Sequence, residues 1–194
     1  EARPAAGTPA EVYARSRGIT MPLPPSIRFG MVPAGKDERG EWRRPMPAFI
    51  GAVTIGEDLV AIQRIFLRDG GREKANMKRP KLSLGRVKGG ALRLDHGRDG
   101  DEVIITEGPE DGLSLAQELP GRKVWATLGT TMMPDVQFPP EVASLIIAGQ
   151  NDTPGRIAAE AASEALLEQG FAVRIMYPDP TFKDWNDQLR GLRR

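Results

Sequence analysis

The chain has 194 residues and a mass of 21.2 kDa, with 40% hydrophobic and 27% charged residues, the composition of a loop-rich globular protein. Cysteine is absent and histidine occurs once, which excludes a disulfide scaffold, an iron–sulfur cluster, a Cys-ligated zinc, a cysteine nucleophile and a multi-His metal site. Any metal must rest mainly on carboxylates, which points to a hard ion such as Mg²⁺. No apolar run approaches the roughly 20 residues needed to cross a bilayer, and no signal peptide is read at the start, so no membrane partner is expected and the expected location is cytoplasmic.

The net charge of +1 conceals a dipolar chain. Residues 64–98 carry 11 Lys/Arg against 3 Asp/Glu, while residues 99–194 carry 8 basic against 16 acidic residues. A basic block beside an acidic block suggests a polyanion-binding surface next to a cation-binding one. The simpler reading is a solvated basic hairpin face.

In chain order, Thr8-Pro9-Ala10-Glu11 reads as a helix start with a capping box, and the helix should stop at Gly18. Short strand-like runs follow at 26–29, 48–54 and 60–67, the last two forming a hairpin around Gly56-Glu57-Asp58. Residues 74–90 read as basic and irregular, and 91–94 as another short strand. His96 reads as a turn residue.

The pattern changes near residues 97–100. Strands are expected at 103–106, 123–127, 143–148 and 172–176, alternating with helices at 109–119, 154–169 and 183–189 and a short helix or loop at 130–135. This βα alternation predicts a four-stranded parallel sheet flanked by helices. A small α+β region of residues 1–98 precedes it, and residues 99–194 form the second domain.

Ligands of such sheets bind at the carboxyl ends of the strands. That rule selects Glu107 and Asp111 after the first strand, Gln150 and Asp152 after the third, and Asp184 and Asp187 after the fourth. Converging carboxylates repel one another unless a cation sits among them. Their plainer reading is as loop acids and helix caps.

Glu107-Gly108-Pro109-Glu110-Asp111 after an apolar strand resembles the first motif of the Toprim (topoisomerase–primase) domain. Gln150-Asn151-Asp152-Thr153-Pro154-Gly155 resembles its second motif, Asp-x-Asp-x-x-Gly, and Lys183-Asp184-Trp185-Asn186-Asp187 resembles the closing segment of Toprim domains in phage and plasmid primase-like proteins. The resemblance covers about residues 101–192. Segments 61–67 and 85–91 resemble the region that precedes Toprim in those mobile-element proteins.

The resemblance implies a primase-like protein of DNA replication, a nucleotidyltransferase using Mg²⁺ or Mn²⁺ on nucleic acid. Glu107 and Asp111 are the implied catalytic residues. Glu107, Asp152, Gln150 and Asp184 are the implied metal set, although Gln150 stands where the motif has its first Asp. Arg64, Lys78, Arg79, Lys81, Arg86, Lys88 and Lys183 are expected to hold nucleic acid or nucleotide. Single-stranded DNA and nucleotides are the expected partners, with a helicase or another replication protein. A Toprim-type nuclease is the alternative, as is a catalytically weakened nucleic-acid-binding or adaptor protein. The chain contains no Walker-type phosphate loop, and without cysteine it contains no Cys-type zinc module.

Overall fold

The computed structural model describes residues 1–36, 39–95 and 100–193. His96 and the expected boundary at 98/99 lie outside the described residues.

The N-terminal region begins with β1 (Arg3–Pro4) and helix α1 (Pro9–Ser16). Thr8 caps α1, its Oγ1 accepting from the Ala10 N–H at 3.2 Å. The Glu11 carboxylate closes on the N–H of Gly7 at 2.7 Å, one residue earlier than a standard capping box. Strands β2 (Ile27–Val32), β3 (Met46–Ile55) and β4 (Asp58–Phe66) form an antiparallel meander, extended at the edge by β5 (Lys81–Gly85). Residues 81–85 thus form a strand inside the segment expected to be irregular, an edge strand that is mostly exposed and whose alternation only Leu82 and Leu84 mark.

Alternation along β3 and β4 divides the core. Phe49, Ile65 and Leu67 pack toward α1 with Tyr13, Ile19 and Ile27. Ala48, Ile50 and Phe66 pack on the other face with Ala34 and Ala75. Each fully buried Ile, Leu or Phe among them contributes about 1.5–3 kcal/mol.

The C-terminal region contains the expected parallel strands β7 (Glu102–Thr106), β8 (Lys123–Ala126), β9 (Ser144–Ala148) and β10 (Ala172–Met176), in the order β8-β7-β9-β10. Helix α2 (Pro109–Glu118) follows β7, and a 3₁₀ helix (Thr130–Asp135) follows β8. Helix α3 (Thr153–Glu168) follows β9 and buries Ala159, Ala162 and Leu166 against one sheet face. On the other face Ile104, Val124 and Ile146 meet Leu115 of α2 and Trp185 of the closing helix α4 (Trp185–Arg190).

The two regions share one sheet. The edge of β3 pairs with β2 over Met46–Gly51 and then with β6 (Ala91–Arg93) at Val53 and Thr54. Strand β6 in turn pairs antiparallel with β8, giving a sheet of ten strands among the described residues. Among the described residues no helix is long and apolar enough to cross a membrane.

Candidate active site

The chain leaves β7 through Glu107 and Gly108 and enters α2 at Pro109, whose fixed φ suits the first helical position. Glu110 and Asp111 therefore lie in the first turn, where the helix dipole favours negative charge. Strand β7 pairs with β8 on one side and β9 on the other, so the connections diverge at its carboxyl end. A crevice opens at such a point.

Asp111 is only 6% exposed. Its Oδ2 accepts from Gln150 Nε2 at 2.9 Å, and its Oδ1 accepts from the backbone N–H of Asn186 at 3.1 Å. Burial, reinforced by the nearby charge of Asp184, pushes the Asp111 carboxyl up to about 7, against the pull of those two donors. The Asn186 side chain donates to the carbonyl of Arg17 at 2.8 Å and to Ser114 Oγ at 3.0 Å, tying α4 to both α1 and α2.

Glu110 points the other way, toward the N-terminal region. It accepts from the Tyr13 hydroxyl at 2.8 Å and pairs with Lys74 at 2.8 Å and Lys81 at 2.9 Å. Burial alone would raise its pKa, but Lys81 and Lys74 outweigh that and bring it down to about 2. Burial pushes Lys74 down and Lys81 adds to this, so one shared carboxylate does not fully offset the burial of Lys74. Burial and the Glu110 charge keep the Tyr13 phenol protonated.

These groups surround a cavity of about 250 Å³. Glu107, Asp111, Gln150, Asp184 and Asp187 line it together with Arg17, Lys74, Lys81 and Arg190. Asp184 also caps α4, accepting from the N–H of Asp187 at 2.8 Å. Burial, and next the charge of Asp184, raise the Asp187 pKa. Two polar atoms in the lining, Arg17 Nε and Gln63 Oε1, are buried without a hydrogen-bond partner among the described residues. Among the described residues no three acidic or imidazole side chains stand together as a metal cluster.

Residues 102–192 match the profile of the Toprim domain, and residues 1–94 match a domain of unknown function, DUF7146. This is a Toprim-domain protein. It is similar in structure to the zinc-binding and RNA polymerase domains of the Aquifex aeolicus primase (17% identity, TM-score 0.67, 96% of this chain and 53% of that one). The primase fragment of the bacteriophage T7 primase-helicase protein is also similar (17% identity, TM-score 0.59, 98% and 70%). So is a DNA primase domain from Pseudomonas aeruginosa (21% identity, TM-score 0.55, 84% and 53%). The chain thus has the primase fold and spans about half the length of the Aquifex and Pseudomonas structures. No curated protein sequence matches it significantly.

Within the Toprim domain the expected site residues divide. Glu107, Asp111, Gln150 and Asp184 meet in the cavity, whereas Asp152 is not in its lining. Asp152 instead caps α3, accepting from the Gly155 N–H at 2.8 Å, and faces Lys183 Nζ at 3.4 Å. Of the expected basic residues, only Lys81 lines the cavity, through its pair with Glu110. Arg64 lies on the other face of β4, its guanidinium 5.7 Å from the Phe66 ring centroid. Lys78 and Arg79 border a separate groove, Arg86 is exposed, and Lys88 pairs with Asp135 at 3.1 Å.

Arg17, Gln63 and Arg190 join the cavity without having been expected there. Arg17 lies about 90 residues from the first Toprim motif with no local pattern to mark it, and Gln63 lies in the 61–67 segment, whose resemblance marks a stretch of chain and not one side chain. Asn186 stood inside the third motif, and only its position gave a signal.

Proposed function

We propose that the protein is a primase-like nucleotidyltransferase acting on nucleic acid with Mg²⁺ or Mn²⁺. The observation that carries this reading is the cavity at the β7–β9 divergence, where Glu107, Asp111 and Asp184 face Arg17, Lys74, Lys81 and Arg190 in a Toprim domain. Acids that can hold a divalent ion beside cations that can hold phosphate are what nucleotidyl transfer requires.

The donor set fits a hard ion. Asp111 is pushed up to about 7 by burial and next by the charge of Asp184, and a divalent ion beside it would favour its ionised form. Mg²⁺ keeps waters and substrate phosphates as ligands, so one or two protein carboxylates suffice. Glu107 and Asp184 would hold it, with Asp111 behind them; when bound, the ion supplies charge neutralisation for the phosphates.

The remaining chemistry falls to the chain's own residues. Arg17 and Arg190 orient the triphosphate. Glu107 takes the proton of the attacking 3′-hydroxyl as its oxygen bonds the α-phosphorus and the bond to pyrophosphate breaks. Gln150 and the Asn186 N–H hold Asp111 in place. Single-stranded DNA and nucleotides are the proposed partners, in the cytoplasm, with a helicase or another replication protein.

One observation favours a second reading. The Asp152 carboxylate caps a helix and faces Lys183, and the Gln150 amide donates to Asp111, so the second motif offers the cavity no charge. A nucleic-acid-binding protein without turnover would look like this. The test is incorporation of labelled nucleotides on a single-stranded template, run beside cleavage of labelled DNA, for the wild type, Glu107→Gln and Asp111→Asn. Incorporation that falls by about 100-fold or more in both variants supports the proposal. Cleavage without incorporation points to the nuclease, and binding without either points to the adaptor.

A further inference from the structure

The two walls of the cavity differ in what they leave unpaired. Acids of the Toprim domain form one wall, and Arg17, Gln63, Lys74 and Lys81 of the N-terminal region form the other. Strand alternation sends Gln63 there, because its β4 neighbours Ile62 and Arg64 take the opposite face of the sheet. Gln63 is only 8% exposed, and its Oε1 is buried with no hydrogen-bond partner among the described residues. A buried acceptor in that state costs stability until something donates to it.

The chemistry of the wall narrows what that donor is. Lys74 and Lys81 turn to Glu110, at 2.8 and 2.9 Å. Arg17 Nε is the wall's other orphan, and phosphate oxygens relieve it because they accept. They offer Gln63 no hydrogen, so a triphosphate alone leaves its Oε1 unpaired. A metal ion is disfavoured at Gln63, since Arg17, Lys74 and Lys81 give the same wall a positive field. A base carries N–H groups, but the described lining holds no aromatic ring to stack it. The sugar is joined directly to the α-phosphate, and its hydroxyls donate.

We propose that Gln63 is a specificity-determining residue, its Oε1 accepting a hydrogen bond from a hydroxyl of the nucleotide sugar. The proposal rests on the reading that the cavity takes a nucleotide, and it names the side chain that tells one sugar from another. A buried acceptor built for a hydroxyl rejects the analogue without it, because the acceptor then stays unpaired in the complex. The free protein keeps Gln63 at a cost in stability that the bound sugar removes.

The test is calorimetric binding of nucleoside triphosphates with Mg²⁺, in ribose, 2′-deoxy and 3′-deoxy forms, to the wild type, Gln63→Met and Gln63→Glu. In the wild type, loss of the hydroxyl that Gln63 reads should weaken binding by roughly 5- to 150-fold. The two deoxy forms tell which hydroxyl it is. Gln63→Met should shrink that difference to within about 3-fold, whereas Gln63→Glu keeps an acceptor oxygen and should preserve it. Purine and pyrimidine nucleotides should behave alike. Without nucleotide, Gln63→Met should melt no lower than the wild type, since it removes the unpaired acceptor at nearly constant volume. Equal sugar discrimination in the wild type and Gln63→Met overturns the proposal and leaves the nucleotide reading of the cavity intact. If Gln63→Met also melts lower, the acceptor serves a structural water instead. Discrimination that follows the base overturns the sugar assignment. A wild type that binds no nucleotide overturns both readings.

Discussion

The Gln150 carboxamide reaches from the end of β9 to the first turn of α2 and donates to Asp111 Oδ2 at 2.9 Å. A neutral donor thus stands where the Toprim motif carries an acid, and it lets a nearly buried carboxylate sit beside Asp184. Gln150→Asp removes the donor and adds a like charge. We expect a loss of about 1–3 kcal/mol of stability with a chelator present. Mg²⁺ should recover more of the melting temperature in this variant than in the wild type. Equal Mg²⁺ shifts in the two proteins would mean that position 150 does not face the ion.

Asp111 also sets a pH dependence. Its folded pKa of about 7 lies above the ordinary aspartate value of 3.8, so the folded state holds a proton that the unfolded state has released. Stability should therefore fall as pH rises from about 4 to about 7. A divalent cation favours the ionised form and should offset this cost. Melting with and without Mg²⁺ at about pH 5 and pH 8 checks it, with the larger Mg²⁺ shift expected at the higher pH. The same shift at both values would place the ion away from Asp111.

Glu110 acts with the opposite sign. Its folded pKa of about 2 lies below the ordinary value of 4.5, so its contribution is full above pH 4.5 and disappears as pH falls toward 2. Glu110→Gln leaves Lys74 and Lys81 without their carboxylate and should cost about 2–4 kcal/mol at neutral pH. Urea titrations across the acid range should show a steeper loss in the wild type than in the variant. Parallel curves would mean that the ion pairs contribute nothing net.

Gly112 lets α2 approach the sheet. A Cβ there would stand 2.3 Å from Leu94 Cδ1 and 2.9 Å from Thr106 Oγ1. Gly112→Ala should lose about 1–3 kcal/mol by overpacking, partly masked by the roughly 1 kcal/mol that alanine gains in a helix. The neighbouring Asp111 would move with the helix, so activity should fall along with stability. Equilibrium unfolding with a nucleotide-incorporation assay reads both. A stabilised variant would show that α2 has slack against β6 and β7.

The sequence by itself determined the parallel βα region, because β7 and β9 are short apolar runs and α3 is a capped, Ala-rich helix, signals that act over a few residues. It also determined that Glu107, Asp111, Gln150 and Asp184 converge, since strand ends of a parallel sheet meet on one side. Tertiary structure alone decided the rest. Asp152 reads as a ligand in its motif, yet its oxygens go to a helix cap and to Lys183. Glu110, inside the first motif beside the acids of the cavity, draws Tyr13, Lys74 and Lys81 across the regional junction. The basic block looked like one surface in sequence, but alternation across the N-terminal sheet sends Lys81 to the cavity and Arg64 to the opposite face. The physical reason is range. Caps, strands and helices are set by neighbours within a few positions, whereas the partner of a charged side chain is chosen by how distant elements pack, and no local pattern encodes that choice.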